Sequence, residues 1–235
     1  MLTVCCVWVK GPVKYTADYV VRLHRMACKF VPKPFIFACL TDRPEDVSLP
    51  GIVPIHIDHM WGDVPPNGAG YWAKVRLFSE EDTRNRDGAF SGRVLYIDLD
   101  SLIVSNLSPI VDYPAPFAIT ADALVEERKH LNTDRYGRTL VRAFNSSVMV
   151  WDAGFGRDIY ETWTPEVAQR LSTDQDFIAE LYPNATAMPY SWFPRISRQQ
   201  PPWPDEAKVV LVKKPKPHEA VERWPWFEQA WGGWD

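Results

Sequence analysis

Three short stretches of nearly continuous apolar residues, Leu2 to Val9, Phe35 to Leu40 and Val94 to Ile97, constrain this chain most. A strand with no polar alternation has both faces buried, as a parallel sheet covered by helices requires. Between the first two runs, Gly11-Pro12 marks a turn. A helical pattern follows, with Tyr19, Leu23, Met26 and Phe30 on one stripe and Asp18, Arg22, Arg25 and Lys29 on another. Asp18 and Arg22 stand at the i, i+4 spacing that supports a helix. Ile52 to Ile57 reads as a third strand, irregular at Pro54. The Gly/Pro loop from Gly62 to Gly70 opens a helix over Tyr71 to Glu81. Phe117 to Thr120, Ser147 to Trp151 and Val209 to Val212 are further short strands. Strands alternating with helices predict an α/β domain with a mostly parallel central sheet.

The 235 residues suit one domain with a substantial core. A formal charge of −4 argues against a protein held to nucleic acid by net positive charge. Cys5, Cys6, Cys28 and Cys39 have neither zinc-site nor disulfide-framework spacing, and are expected as buried reduced thiols. Met1 to Lys10 lacks a basic region before its apolar run and is expected as a first strand rather than a signal peptide. No apolar stretch has membrane-spanning length, and the expected location is cytoplasmic. The late prolines, from Pro194 to Pro225, exclude one long helix or a clean central strand from the tail. Trp203, Trp224, Trp226, Trp231 and Trp234 accompany them, either fastening an irregular tail to the domain or forming a stacking wall.

The chemistry concentrates in Arg93-Val-Leu-Tyr-Ile-Asp-Leu-Asp100-Ser-Leu-Ile-Val104. In an extended segment residues i and i+2 share a side, so Asp98 and Asp100 are expected to converge just past the carboxyl end of a buried strand. Open α/β sheets bind ligands there. Few carboxylates around a hard divalent ion leave positions for diphosphate oxygens. The tripeptide alone is weak, since Asp174-Gln-Asp176 repeats it, and a polar strand end explains it equally well. The strand before and the apolar run Leu102 to Val104 after it favour the metal reading.

Several blocks in order together resemble the GT-A type of nucleotide-sugar glycosyltransferase, in particular the retaining group of glycogenin and the lipopolysaccharide galactosyltransferases. They are the opening strand followed by Tyr15, Tyr71-Trp-Ala-Lys74-Val-Arg-Leu-Phe78, Val94 to Leu107, Phe144-Asn-Ser-Ser-Val-Met-Val-Trp151, Ser172-Thr-Asp-Gln-Asp-Phe177 and Lys214-Pro-Lys-Pro-His218. The resemblance implies one GT-A-like domain, with a nucleotide-binding half over 1–110 and a sugar and acceptor half with an irregular tail over 111–235. It implies Mn2+ or Mg2+ as cofactor, a UDP-sugar as donor and transfer with retention. The acceptor is open among glycan, protein and modified nucleic acid.

Carried over residue by residue, the resemblance makes Asp98 and Asp100 metal ligands, with Leu99 beside the nucleotide. Tyr15 stacks near the base, and the backbone of Val7, Trp8 and Val9 lines the same pocket. Lys74 lies near the donor, sharing a helical face with Tyr71 and Phe78, so that its removal weakens donor binding without unfolding the protein; a snorkelling lysine at the rim is the alternative reading. Asn145 and Ser146 match a block lining the sugar, with Ser147 in place of the family's glycine. Asp174 and Gln175 match a pair facing the anomeric carbon, although Ser172-x-x-Gln175 is also a capping box. Lys216 matches a phosphate-binding lysine. The family's strand histidine is replaced by aliphatic residues, leaving the shifted His218 as the nearby histidine for the metal. Two other readings stay open: a sugar-phosphate nucleotidyltransferase, poorly served by the single glycine of Gly11-Pro12-Val-Lys14, and a non-catalytic carbohydrate- or nucleic-acid-binding module.

Overall fold

The computed structural model describes residues 1–9, 15–58, 69–83, 90–122, 132–133, 139–140, 144–171, 173–197, 201–212 and 214–231. Its strands are β1 (Leu2–Trp8), β2 (Ile36–Thr41), β3 (Ile52–His56), β4 (Arg93–Ile97), β5 (Ser101–Ile103) and β6 (Phe117–Ala121). They continue as β7 (Asn132–Thr133), β8 (Thr139–Leu140), β9 (Phe144–Asp152), β10 (Thr186–Met188) and β11 (Val209–Leu211). Among the described residues the main sheet has seven strands in the order β10-β6-β9-β4-β1-β2-β3. The runs Leu2 to Val9, Phe35 to Leu40 and Val94 to Ile97 supply three of its strands, β1, β2 and β4.

All neighbours in this sheet are parallel except β9, which runs antiparallel to both β4 and β6. That reversal matters for position. The carboxyl ends of β1, β2, β4 and β6 and the amino end of β9 all open onto one edge. Asn145 and Ser146 are thereby delivered beside the residues that follow β4. Between Ile119 and Thr120 the β6–β9 register shifts, so that Ile119 faces Met149 while Thr120 faces Asn145. The shift leaves Ser146 to Val148 as a bulge, bridged by a Thr120 hydroxyl donating to the Val148 carbonyl at 3.0 Å. Bulges of this kind re-aim side chains next to active sites.

The two faces of β1 and β4 feed two cores. Val4, Cys6, Leu95 and Ile97 pack with Leu23 and Met26 of helix α1 (Ala17–Phe30). Cys5, Val7, Val94 and Tyr96 pack with Trp72, Leu77, Trp151 and Phe177. Burial of side chains this size contributes roughly 1.5–3 kcal/mol each. In α1, Tyr19, Leu23 and Met26 are buried as the stripe predicts, and Arg22 donates to Asp18 at 2.7 Å. Cys5, Cys6 and Cys39 are buried free thiols, whereas Cys28 is exposed on α1 with its sulfur 3.3 Å from His24 Nε2.

The exposure of Cys28 departs from the expected burial, and two further expectations change. The segment expected as one helix over Tyr71 to Glu81 is three pieces, a turn of α-helix at Ala69–Trp72, a 3-10 segment at Ala73–Phe78 and a short helix at Glu80–Thr83. Every residue from Ala73 to Phe78 is buried while Tyr71 is exposed, so Tyr71, Lys74 and Phe78 form no common stripe. The tail is not irregular throughout. Helices Pro217–Arg223 and Pro225–Ala230 each begin at a proline, where the missing N–H has no intrahelical partner to lose. The expected turn at Gly11-Pro12, most of the Gly62 to Gly70 loop, Ser172, Lys213 and Trp234 lie outside the described residues.

The tail reaches the sheet edge through a second, two-stranded sheet of β5 and β11, and the Val212 N–H donates to the Asp100 carbonyl at 3.1 Å. Gly92, just before β4, has φ +72°, and a Cβ there would lie 2.3 Å from the Met1 carbonyl oxygen. Gly154 has φ +92° with open space around it. Gly92→Ala should therefore cost about 2 kcal/mol or more, and Gly154→Ala only about 1 kcal/mol. Thermal denaturation of the two variants checks this ordering.

Candidate active site

The β4 strand ends at Ile97, and Asp98 is still fixed by the sheet, its N–H donating to the Ser147 carbonyl at 2.8 Å. The chain then turns, with the Ser101 N–H donating back to the Asp98 carbonyl at 3.1 Å. The turn at Leu99 and Asp100 replaces the extended geometry expected from the sequence. The two carboxylates consequently engage different partners.

Asp98 follows Tyr96 onto the face that carries Lys74. Its Oδ1 accepts from the Tyr96 hydroxyl at 2.6 Å and lies 2.8 Å from Lys74 Nζ. Lys74 also donates to Ser146 Oγ at 3.2 Å and lies 3.6 Å from Asp174 Oδ2. Lys74 and Asp174 are 7% and 2% exposed, which makes this a buried ion-pair cluster rather than a cation at a rim. Burial alone would lower the Lys74 pKa, but Asp174, Asp98 and Asp100 outweigh it and raise the ammonium above its usual range. Burial would raise Asp98; the Lys74 charge and the hydrogen bonds from Lys74, Tyr96 and Ser147 prevail and lower it. Asp174 goes the other way. Burial raises its carboxyl, and Lys74 and Ser146 offset that only in part.

Asp100 faces the first strand and the tail. Its Oδ2 accepts from the Tyr15 hydroxyl at 2.8 Å and from Lys216 Nζ at 2.6 Å. Lys216 also donates to the Tyr15 oxygen at 2.6 Å. Trp8 Nε1 donates to the Tyr15 carbonyl at 3.0 Å, tying Tyr15 to the end of β1. Val7 and Trp8 are buried in β1, and Val9 is half-buried just beyond it. Leu99 is packed into the α1-side core.

The expected residues are therefore gathered unevenly. Asp98, Lys74, Ser146 and Asp174 form one cluster, and Asp100, Tyr15 and Lys216 form the adjoining one. Gln175 is buried in the first turn of the helix Asp174–Leu181. Asn145 is buried in β9, where its Oδ1 accepts from the Ser147 N–H at 2.9 Å. His218 is exposed, and its Nδ1 lies 2.5 Å from the Tyr19 hydroxyl oxygen. Among the described residues no group of three His, Cys, Asp or Glu side chains is placed to hold a cation. From the sequence Tyr96 is only a core strand residue. Its place two before Asp98, on the same strand face, is the signal that could have marked it as the partner of that carboxylate.

A divalent cation still fits the chemistry present. Three carboxylates face two ammonium groups, and Asp174 Oδ2 is buried without a hydrogen-bond partner. Asn145 Nδ2 is likewise buried and unpaired, an orphaned donor at the same sheet edge as the orphaned acceptor. Hard oxygen donors with excess negative charge suit Mg2+ or Mn2+, and unpaired buried polar atoms suit a polar ligand.

No protein-family model matches the chain, and no curated protein matches it. Its fold is nevertheless that of GT-A glycosyltransferases. It is similar to the galactosyltransferase LgtC solved in complex with donor and acceptor sugar analogues, at 18% identity and a TM-score of 0.67, covering 98% of this chain and 95% of that one. An active-site mutant of LgtC aligns at 17% identity and a TM-score of 0.66 over the same shares. The bifunctional glycosyltransferase WbbM, solved without ligand, aligns at 13% identity and a TM-score of 0.59, covering 92% of this chain and 46% of that one. Among the described residues no helix is long and apolar enough to cross a membrane.

Because the buried Lys74 neutralises the buried Asp174 and the half-buried Asp98, Lys74→Met should cost about 3 kcal/mol of stability at neutral pH, not merely donor affinity. Without Lys74, both carboxyl pKa values rise above their unfolded values. A carboxyl raised in this way favours the folded state most at low pH, and that advantage is lost as pH rises through its folded pKa. The stability gap to wild type should therefore narrow from pH 7.5 to pH 5, as chemical denaturation at both values can measure. An equal gap at the two would contradict the ion-pair account.

Proposed function

We propose that the chain is a metal-dependent glycosyltransferase that transfers a sugar from a UDP-sugar to an acceptor hydroxyl with retention of configuration. The observation that carries the reading is the pairing of a GT-A fold with two carboxylates at the end of β4, beside buried polar side chains on β9 and on the helix Asp174–Leu181. Asp98 and Asp100 would hold the divalent cation, with water and phosphate oxygens completing its coordination. When bound, the ion supplies Lewis-acid neutralisation of the diphosphate leaving group.

The remaining work falls to side chains. Tyr15 and the backbone from Val7 to Val9 border the base and ribose, and Leu99 presents its main chain beside the nucleotide. Lys216 places a point charge near the diphosphate. Asn145 Nδ2 and Asp174 Oδ2 offer a donor and an acceptor to sugar hydroxyls. Gln175, with Asp174, lies where partial positive charge at the anomeric carbon can be stabilised. Lys74 positions Asp98 and Asp174 from behind, and Tyr96 fixes the Asp98 carboxylate against rotation.

Hydrolysis of a panel of UDP-sugars, with and without Mn2+, tests the reading. At least one donor should be hydrolysed only with the ion. Asp100→Asn should lower that rate about a hundredfold, the scale of losing one transition-state charge contact. A rate unaffected by chelation and by Asp100→Asn would remove the metal-dependent mechanism.

A further inference from the structure

We propose that Lys216 competes with the divalent cation for Asp100, so that cation and nucleoside diphosphate bind cooperatively; this rests on the donor-binding reading above. Lys216 Nζ lies 2.6 Å from both Asp100 Oδ2 and the Tyr15 hydroxyl oxygen, and Tyr15 donates to that same carboxylate oxygen at 2.8 Å. A cation bound to this carboxylate would sit about 2.0–2.6 Å from its oxygen. At that range from an ammonium the like charges repel, so cation binding at Oδ2, already shared with Tyr15, favours withdrawal of Lys216.

The two lysines of the site differ in their freedom to withdraw. Lys74 has a side chain 9% exposed, lies between the buried Asp174 and the half-buried Asp98, and donates to Ser146. Withdrawing it would strand buried charge, so it is a permanent counter-ion. The Lys216 side chain is 27% exposed and contacts a single carboxylate at the rim. Its backbone is pinned, since its N–H donates to Glu219 Oε2 at 2.8 Å and its carbonyl accepts from the Ala220 N–H at 2.8 Å. Pro217 follows as the first residue of the helix. Release of Asp100 therefore needs only rotation of the four-carbon stem, with the tail helix left in place.

The released ammonium requires a new anion, and the diphosphate supplies it at the same edge of the sheet. Cation binding alone drives Lys216 toward water, whereas cation binding with diphosphate gives it a partner. By linkage, each ligand raises the affinity of the other by the same factor.

Manganese titrations followed by electron paramagnetic resonance, with and without UDP, test this on the whole chain. Wild type should bind Mn2+ more tightly when UDP is present. Lys216→Met should bind Mn2+ alone about fivefold more tightly than wild type, the equivalent of a partly exposed ion pair near 1 kcal/mol, and show a correspondingly smaller gain from UDP. Lys216→Gln should behave alike, and Lys33→Met, which removes a surface partner of Asp112, should match wild type. UDP-dependent Mn2+ binding in wild type with unchanged or weaker Mn2+ affinity in both Lys216 variants overturns the competition and leaves the donor site standing. Absence of Mn2+ binding in every protein, with or without UDP, overturns both.

Discussion

A single buried ammonium holds this site together. Lys74 lies between Asp98, at the end of a central strand, and Asp174, at the start of a helix on one face of the sheet. The buried Asp174 and the half-buried Asp98 would otherwise be protonated or driven apart by desolvation and mutual repulsion. With the ammonium between them, β4, β9 and the helix Asp174–Leu181 are drawn to one point, and Ser146 and Tyr96 complete the hydrogen bonding. Sheet topology makes the arrangement possible, because the antiparallel β9 brings its amino end to the edge where the parallel strands finish.

Around that fixed cluster the second one is looser. Asp100, Tyr15 and Lys216 come from a turn, the segment after the first strand and the tail, and each is nearer to solvent than Lys74. A rigid half that positions charge beside a half able to exchange partners suits the proposed uptake and release of a charged diphosphate. The small β5–β11 sheet serves this arrangement, since it carries the tail back to Asp100 and presents Lys216 to it.

Much of this was legible in the sequence, for identifiable reasons. Strands buried on both faces announce themselves as unbroken apolar runs, so Leu2 to Val9 and Val94 to Ile97 could be placed closely. The carboxylates after β4 could be placed as well, since they follow directly from its end. Their divergence could not, because it depends on the Ser101 to Asp98 hydrogen bond, and a D-x-D tripeptide is compatible with strand or turn. From the sequence Lys74 reads as a residue on a helical face with Tyr71 and Phe78. The spacing of Tyr71, Lys74 and Phe78 does not separate an α-helix from the broken 3-10 segment observed, and the carboxylates that neutralise Lys74 are distant in sequence. Likewise the β9 bulge at Ser146 to Val148 arises from pairing with β6, which no local pattern encodes.

The central claim is that the edge beyond β4 receives a cation-bound nucleoside diphosphate, and crystals soaked with Mn2+ and UDP address it most directly. The account predicts an anomalous manganese peak between the Asp98 and Asp100 carboxylates, with diphosphate oxygens beside it and the Lys216 ammonium turned from Asp100 toward them. Manganese and nucleotide found together at another surface, with Asp98 and Asp100 still held by Lys74 and Lys216, would contradict it.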